Sequence, residues 1–362
     1  MDPANVSDAP DSLLLSGLNR RQAKYRRNEK LDALLAELAT LLEPAERAVL
    51  ARLDTPTRPA LLVVGNPRSG TTAFMQWLAA TGLFAVPSNL LSRFYYAPYI
   101  GAKIQQLLCD PAFAYKDELG ELTGSSGAMA SELGKTKGAL SPSEFFHFWR
   151  RFLPNYDPGY LTPELLAHFD AAGLRKGIAS IEEALGRPFA AKAIMMQYNL
   201  TALAEAVRNV VFIHIRRHPL FVMQSVLEAR ESFYGDRTMW WSVKPQEFAK
   251  LRDLGPFEQI AGQVYYTERS LEEQARELPS NRWLTVDYEC FCENPAATLA
   301  EIRRRFEWLD CPLPDSPAPQ AQLRSSNAIR LPETDIQQLI GEYQKLSRSE
   351  LTLLPPQKGV GL

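Results

Sequence analysis

The stretch Leu61-Leu62-Val63-Val64-Gly65-Asn66-Pro67-Arg68-Ser69-Gly70-Thr71-Thr72 decides the fold of this chain. Its first four residues are apolar and two of them are β-branched, which predicts a short buried strand. Pro67 and Gly70 end that strand, and the apolar-rich segment 73–80 predicts a helix. A strand, a glycine turn and a helix bring free backbone N–H groups and the positive end of the helix together. The stretch therefore predicts an anion site.

The same stretch resembles the nucleotide-binding P-loop, G-x-x-x-x-G-K-[ST], in the spacing of Gly65 and Gly70. It differs because Thr71 stands where the P-loop lysine would reach the β- and γ-phosphates. The positive charge lies inside the turn instead, on Arg68. A loop of this kind suits a phosphate or sulfate group that is held without a triphosphate–magnesium chelate. The alternative is an ordinary polar turn between a strand and a helix.

The composition is that of a globular protein with no overall attraction to nucleic acid. The 362 residues can bury one large core or two smaller ones, and 46% of them are hydrophobic. The formal net charge of −2 means that any anion site must be local. The four cysteines have no metal-binding spacing, so we expect thiols in a cytoplasmic protein. No apolar run is long enough for a signal peptide or a transmembrane span, and we expect neither.

Residues 1–58 predict a helical N-terminal extension. Leucines recur there at steps of three and four, which places them on one face of a helix. They are Leu31, Leu34, Leu35, Leu38, Leu41 and Leu42. Pro44 and Pro56 are expected to mark helix boundaries. A basic run comes before the leucines and is expected to be a solvated face, with an RNA- or lipid-binding patch as the alternative. The run consists of Arg20, Arg21, Lys24, Arg26, Arg27 and Lys30. A homodimer contact is a further hypothesis for this region.

Residues 59–362 predict an α/β domain that is interrupted by an insertion at 83–188. Strand-like and helical segments stop alternating in the insertion. This predicts a helical and loop region that forms the acceptor pocket and its lid, and a helical subdomain that only packs on the core is the alternative. Ser141 and Glu144 have the spacing of a capping box, which predicts a helix that begins there and continues through Phe152.

Strand–helix alternation resumes after the insertion and predicts a P-loop-like parallel sheet flanked by helices. The predicted strands are 189–194, 210–215 and 283–286, and the second is apolar on both faces, as buried parallel strands are. Ligands of such sheets lie beyond the carboxyl ends of the strands. Four residues fall at or just after predicted strand ends, and we expect them to form one site. They are Arg68, Lys192, Arg217 and Tyr288.

Several motifs resemble those of sulfotransferases that use 3′-phosphoadenosine 5′-phosphosulfate (PAPS). Residues 67–72, Pro-Arg-Ser-Gly-Thr-Thr, look like the loop that binds the 5′-phosphosulfate in that family. Residues 217–219, Arg-His-Pro, together with Ser225, resemble the motif that binds the 3′-phosphate. Residues 287–289, Asp-Tyr-Glu, are similar to the tyrosine segment near the adenine. Residues 324–326, Arg-Ser-Ser, resemble a late loop that closes on the nucleotide.

The resemblance implies an enzyme that moves a sulfuryl group from PAPS to a hydroxyl group of a small molecule or glycan. The donor has two anionic ends, so two separate cationic anchors are needed. Transfer relies on positioning and charge stabilisation, and the resemblance implies no metal. The residues that the resemblance assigns to PAPS are Arg68, Ser69, Gly70, Thr71, Thr72, Arg217, Ser225, Tyr288, Arg324 and Ser326.

The catalytic residues follow less directly, because the chain departs from the family pattern. Lys192 aligns with the family lysine that stabilises the leaving oxygen. The histidine base of the cytosolic branch would fall at Ile194, and the glutamate base of other branches would fall in 84–89, which contains no acid. The base is therefore expected in the insertion. Glu144 and His147 lie three apart on the predicted helix and are the candidate bases.

Two other functions remain compatible with the sequence. The absence of both family bases favours a non-catalytic protein that binds the nucleotide on the same fold. The spacing of Gly65 and Gly70 favours a P-loop kinase or NTPase. Thr71 in place of the lysine, and the lack of an evident magnesium-binding aspartate near the loop, argue against the kinase.

Overall fold

The computed structural model describes residues 20–26, 28–113, 131–132, 135–316, 319, 323–348 and 351. Numbered along the chain, its strands are β1 (Ala60–Gly65), β2 (Ser131–Glu132), β3 (Lys135–Thr136), β4 (Ala190–Lys192), β5 (Val210–Arg216) and β6 (Trp283–Asp287). Four of them form a parallel sheet in the order β4-β1-β5-β6, and β2 and β3 form a small antiparallel hairpin. The predicted α/β class with a parallel sheet is therefore confirmed. The first 19 residues of the predicted extension, Arg27 of the basic run and part of the predicted insertion lie outside the described residues.

Helices flank this sheet throughout the described ranges. They are α1 (Glu29–Leu50), α2 (Thr71–Ala80), α3 (Pro98–Cys109), α4 (Phe146–Arg150), α5 (Pro163–Leu166), α6 (Ala171–Leu185), α7 (Leu200–Val207), α8 (Pro219–Tyr234), α9 (Phe248–Leu251), α10 (Pro256–Glu277), α11 (Tyr288–Glu293), α12 (Pro295–Glu307) and α13 (Glu333–Ser347). Short 3₁₀ turns lie at Ala23–Tyr25, Leu91–Phe94, Pro111–Phe113 and Ser280–Arg282. Of the helices in the described residues, none combines the length and the apolar character that crossing a membrane requires.

Both faces of the parallel sheet are buried, which explains why β1 reads as a continuous apolar run. Leu62 and Val64 of β1 pack in one hydrophobic cluster with α4, α6 and α7. Leu61 and Val63 pack in a second cluster with α2, α11 and α12. The sheet is thus the middle layer of a structure with helices on both sides.

The register of the sheet brings its polar strand ends to one edge. Val63 of β1 aligns with Lys192, the last residue of β4, so β4 ends close to the carboxyl end of β1. Gly65 of β1 aligns with Ile215 of β5, and β6 continues the same register beside β5. The loops that follow these strands therefore start from one edge, which is where parallel sheets place their ligands.

Helix α1 continues through Pro44, so the predicted boundary at this proline is wrong. A proline inside a helix removes one backbone hydrogen bond. The part of α1 beyond it is held by Glu46, which is buried and accepts hydrogen bonds from the N–H groups of Tyr99 (3.0 Å) and Ile100 (3.2 Å). These are the first free N–H groups of α3, so the carboxylate joins the two helices and offsets the lost bond.

The predicted helix start at Ser141 and Glu144 is also wrong. Helix α4 begins at Phe146, and Phe145 before it has a left-handed backbone with a φ of 56°. Ser141 Oγ donates to a backbone carbonyl four residues earlier instead of capping a helix. Because the left-handed residue turns the chain, Glu144 lies outside the helix that carries His147. The capping role that would have explained Glu144 is absent.

Candidate active site

The loop between β1 and α2 depends on two glycines. Gly65 has a φ of 150°, and a Cβ there would lie 2.6 Å from Ile215 O. Gly70 has a φ of 100°, and a Cβ there would lie 2.7 Å from Tyr288 Cε2. The loop therefore passes against β5 and α11, as only glycine allows. The first N–H groups of α2 follow directly and have no acceptor within the helix, so they are available to an anion.

This loop forms one wall of a cavity of about 990 Å³ at the carboxyl edge of the sheet. Most of the residues predicted for the site line this cavity, although they come from segments far apart in the chain. They are Arg68, Gly70, Thr71, Thr72, Glu144, His147, Lys192, Arg217, Tyr288 and Ser326. The structure therefore brings both arginine motifs, the lysine and both candidate bases to one place.

The two arginine motifs are in direct contact. Arg217 Nη1 donates to Arg68 O at 2.9 Å. Arg68 Nε donates to Ser225 Oγ at 2.9 Å, and Ser225 lies on α8, the helix that follows Arg217. Ser225 does not line the cavity itself and instead holds the Arg68 side chain. The resemblance groups Ser225 with Arg217, but the hydrogen bond of Ser225 is to Arg68, in the loop between β1 and α2.

The loop 323–331 closes on Arg217 from the opposite side. Arg217 Nε donates to Asn327 Oδ1 at 2.8 Å, and its Nη2 donates to Ser326 Oγ at 3.1 Å. The Ser326 N–H donates to Tyr288 OH at 3.2 Å. The guanidinium carbon of Arg217 lies 5.0 Å from the centroid of the Tyr288 ring. Arg217 is thus fixed between a ring and a hydroxyl-rich loop, with only 8% of its surface exposed.

Burial lowers the pKa of both arginines. The negative charge of Glu228 partly opposes this effect on the pKa of Arg68. The charge of Arg330 lowers the pKa of Arg68 and of Arg217 further, and the charge of Arg68 acts in the same direction on Arg217. Desolvated cations that repel each other gain from an anion placed between them. The electrostatics therefore favour an anionic ligand in the cavity.

Lys192, at the end of β4, lies between the loop and the insertion. Its Nζ donates to Thr72 Oγ1 at 2.6 Å and forms an ion pair with Glu144 Oε1 at 3.0 Å. The Lys192 side chain is 5% exposed and the Glu144 side chain is 24% exposed. Lys192 is therefore buried beneath the cavity surface, and the Glu144 carboxylate that pairs with it faces the cavity next to the first turn of α2.

His147, the other candidate base, lines the cavity from α4. Its ring centroid lies 5.0 Å from that of Tyr95. Ile194 also lines the cavity, so the position of the family histidine faces the site but has no titratable group. Glu144 is the candidate that contacts Lys192 directly.

Two further predicted residues lie away from the cavity. Ser69 is fully buried beneath the loop, and its Oγ has no hydrogen-bond partner among the described residues. Arg324 is exposed and does not line the cavity, and its side chain makes no ion pair within the described ranges. The assignment of Arg324 to the nucleotide therefore stays a prediction.

Arg330 is a second arginine of the loop 323–331 that the sequence did not single out, and like Arg324 it does not line the cavity. Its Nε and Nη2 donate to the two carboxylate oxygens of Glu228 at 2.8 Å each, and its Nη1 donates to Ser326 O at 3.3 Å. Its charge lowers the pKa of Arg68 and of Arg217 slightly. No motif distinguishes Arg330, because its place depends on contacts with α8 from more than 100 residues earlier.

Asn327 and Glu289 form a second pair that sequence reasoning missed. Glu289 Oε1 accepts hydrogen bonds from Asn327 Nδ2 at 2.7 Å and from the His218 N–H at 3.2 Å. The His218 side chain does not cap α8, so Glu289 satisfies the backbone group at this helix start. The signal for Glu289 was its place in the motif at 287–289.

The described part of the site offers cations and hydroxyl donors on one side and a lysine–carboxylate pair on another. Within the same ranges, no group of three or more His, Cys, Asp and Glu side chains is placed to hold a metal ion. The arrangement can hold a polyanionic molecule and accept a proton from a hydroxyl group beside it.

Comparison with known proteins gives one match at the level of families. The model described as the sulfotransferase family matches residues 59–315. None of the curated proteins compared with the chain matches it. Among solved structures, sulfotransferase STF9 from Mycobacterium avium aligns with a TM-score of 0.54 and 16% identity, over 92% of this chain and 89% of that one. At this identity the likeness shows the fold alone.

Two other solved structures align less closely. Sulfotransferase STF1 from Mycobacterium tuberculosis H37Rv gives a TM-score of 0.46 and 17% identity, over 76% of this chain and 72% of that one. The sulfotransferase domain from the Synechococcus PCC 7002 olefin synthase gives 0.37 and 17%, over 82% of this chain and 96% of that one. Neither is close enough to support an argument about the site.

Proposed function

The chain belongs to the sulfotransferase family, and from that premise we propose that it transfers a sulfuryl group from PAPS to a hydroxyl group of a small-molecule or glycan acceptor. The observation that carries this proposal is the hydrogen bond from Arg217 Nη1 to Arg68 O, because it joins two anion-binding motifs in one cavity. PAPS has a phosphosulfate at one end and a 3′-phosphate nearby, so it needs two such anchors.

In this proposal the loop between β1 and α2 binds the phosphosulfate. The N–H groups of Gly70, Thr71 and Thr72 supply donors, and Arg68 supplies charge. Arg217, with the hydroxyl of Ser326, binds the 3′-phosphate, since its guanidinium already contacts that hydroxyl. Charge-assisted hydrogen bonds from a planar guanidinium are the strongest that a protein offers to a phosphate.

The chemical step is an in-line displacement at sulfur. The acceptor oxygen forms a bond to sulfur while the bond between sulfur and the bridging oxygen of the phosphosulfate breaks. The products are a sulfate ester and 3′,5′-adenosine bisphosphate. Glu144 takes the hydroxyl proton, and Lys192 places its positive charge at the leaving oxygen.

The ion pair between Lys192 and Glu144 couples these two tasks. While Glu144 is ionised, it holds the lysine at 3.0 Å. When the carboxylate gains a proton, that attraction is lost and the lysine charge becomes available to the leaving oxygen. His147 is the second candidate base, because it lines the cavity on the insertion side.

Calorimetric titration with 3′,5′-adenosine bisphosphate tests the proposal. We expect binding to the unaltered protein, and a loss of about 100-fold or more in Arg68→Ala and in Arg217→Ala, since each variant removes charge-assisted hydrogen bonds. Arg216→Ala is the matched control, because Arg216 pairs with Asp287 and does not line the cavity.

Absence of bisphosphate binding to the unaltered protein would overturn the proposal. Binding without sulfuryl transfer from PAPS to any hydroxyl acceptor would identify a non-catalytic nucleotide-binding protein. Metal-dependent turnover of ATP would instead favour the kinase alternative.

A further inference from the structure

We propose that the acceptor carries an anionic group in addition to its hydroxyl, and that Arg21 in the N-terminal segment 20–26 binds that group. The inference rests on the proposed function, because it concerns the acceptor half of the same cavity. It gives the N-terminal extension a part in substrate recognition, in place of the solvated face that the sequence predicted.

The N-terminal segment is attached to the end of α8 beside the cavity. The Gln22 N–H donates to Phe233 O at 3.0 Å. The buried Tyr25 ring stacks on Phe233 with ring centroids 4.6 Å apart. These contacts make the segment a fixed part of the cavity wall, although it lies before the range 59–315 that the family model matches.

Arg21 lines the cavity together with Phe233. Its guanidinium carbon lies 5.2 Å from the centroid of the Phe233 ring, which orients the cation. Its Nε is buried and makes no hydrogen bond to the described residues. A buried donor without a partner costs free energy, and an anionic ligand would satisfy it.

The lining of the cavity also has more cations than acids. Besides Arg68, Lys192 and Arg217 on the donor side, its described lining contains four basic side chains and two acidic ones. These are Arg21, Arg93, Lys135 and Arg150, against Asp32 and Glu144. Glu144 is already paired with Lys192. The cavity is therefore positive in a chain whose formal net charge is −2, and such a cleft concentrates anionic ligands.

Apolar and aromatic side chains lie among these cations. Phe146, Trp241 and Val243 line the same cavity. The guanidinium carbon of Arg150 lies 3.8 Å from the centroid of the Tyr156 ring. The Arg150 Nε donates to Tyr156 O at 2.8 Å, so the cation is fixed against this ring. The geometry therefore fits an amphipathic acceptor with a hydroxyl, an apolar body and an anionic group.

Two probes of equal chain length separate charge from size: 12-hydroxydodecanoate and 1,12-dodecanediol. Each is titrated into the protein saturated with 3′,5′-adenosine bisphosphate. We expect the carboxylate probe to bind at least about tenfold more tightly than the diol, and Arg21→Gln to remove this advantage. Arg20→Gln makes the same change of charge next to it and keeps the advantage, because Arg20 is exposed and does not line the cavity.

A second measurement does not depend on the variant folding. Raising the salt concentration should weaken binding of the carboxylate probe to the unaltered protein and leave the diol unchanged. Equal affinities, no binding of either probe, or an advantage that survives in Arg21→Gln would overturn the inference. Bisphosphate binding is measured first, so its absence would identify a failure of the proposed function, whereas intact bisphosphate binding with no preference for the anion would overturn this inference alone.

Discussion

At the scale of single residues, the proposed chemistry depends on the pair of Lys192 and Glu144. The buried Lys192 ammonium lies 3.0 Å from the Glu144 carboxylate and holds it in place at the cavity. We expect Glu144→Gln to reduce sulfuryl transfer by about 10²–10⁴-fold, since the variant keeps the shape but cannot accept a proton. Bisphosphate affinity should stay within a few-fold, because Glu144 lies on the acceptor side. Transfer is measured as bisphosphate released from PAPS, and affinity by calorimetry.

His147→Ala is the matched comparison for this prediction. If Glu144 is the base, removing His147 should leave the rate of the chemical step within about tenfold of that of the unaltered protein. Any larger effect of His147→Ala should be on the affinity for the acceptor. The opposite ranking, with turnover lost in His147→Ala and kept in Glu144→Gln, would place the base on α4.

At the scale of elements, the loop between β1 and α2 is set by the space that Gly70 leaves for the Tyr288 ring. Gly70→Ala combines a left-handed backbone with a Cβ that overlaps this ring, so we expect a loss of about 2–4 kcal/mol in the free energy of unfolding. It should also abolish bisphosphate binding. Gly82→Ala is the control, because its φ is 69° but a Cβ there meets nothing within 4 Å. Its loss should be about 1–2 kcal/mol, with binding intact. Urea unfolding and calorimetry measure both, and equal losses would show that the ring contact has no effect.

The junction between α1 and α3 rests on Glu46. We expect Glu46→Ala to lower the free energy of unfolding by about 1–3 kcal/mol, because the N–H groups of Tyr99 and Ile100 would lose their acceptor. Glu43→Ala on the same helix is the control, since Glu43 forms an exposed pair with Arg47, and its effect should stay below about 0.5 kcal/mol.

The effect of Glu46 should also depend on pH. Burial raises the pKa of its carboxyl, and the N–H groups of Tyr99 and Ile100 only partly oppose this. The pKa of Glu46 in the folded protein is therefore above its unfolded value of about 4.3. The contribution of Glu46 to the free energy of unfolding is then fully present below the unfolded-state pKa and declines as the pH rises through the folded-state pKa. The stability difference between the unaltered protein and Glu46→Ala should therefore be larger at low pH. A difference that grows with rising pH would contradict this assignment.

At the scale of the whole molecule, the sheet could be predicted because its two central strands, β1 and β5, are buried and almost entirely apolar. Leu61 to Val64 and Val210 to Ile215 cannot be solvated, so their burial follows from the sequence alone. The polar residues after each strand end then fall at one edge by topology. This is why Arg68, Lys192, Arg217 and Tyr288 were found together from the sequence.

The rest of the site depends on tertiary contacts that no local pattern encodes. Phe145 has a left-handed backbone and its buried ring stacks on Phe148, with centroids 4.6 Å apart, and the helix begins only after this residue instead of at the predicted capping box. Arg21 reaches the cavity only because the N-terminal segment binds the end of α8. Arg330 lies beside Ser326 because Glu228 holds it there. The contacts of Arg21 and Arg330 join residues that are far apart in the sequence, so no helical or strand periodicity predicts them. At Phe145 the contact is local, and core packing overrides the local preference for a capping box.

The site joins parts of the chain that are otherwise far apart, so a bound nucleotide should stabilise the whole domain. A ligand at about 100 times its dissociation constant adds about 2.7 kcal/mol to the free energy of unfolding. With an unfolding entropy of about 2.1 cal/mol/K per residue over 362 residues, this corresponds to a rise of about 3–4 °C in Tm. We expect this shift with 3′,5′-adenosine bisphosphate, and a shift below about 1 °C in Arg217→Ala at the same concentration. Adenosine 5′-monophosphate, which lacks the 3′-phosphate, should give a clearly smaller shift at that concentration, because Arg217 then has no anion to bind. Equal shifts with the two nucleotides, measured by differential scanning calorimetry, would remove Arg217 from the donor site and leave only the loop around Arg68 as an anion anchor.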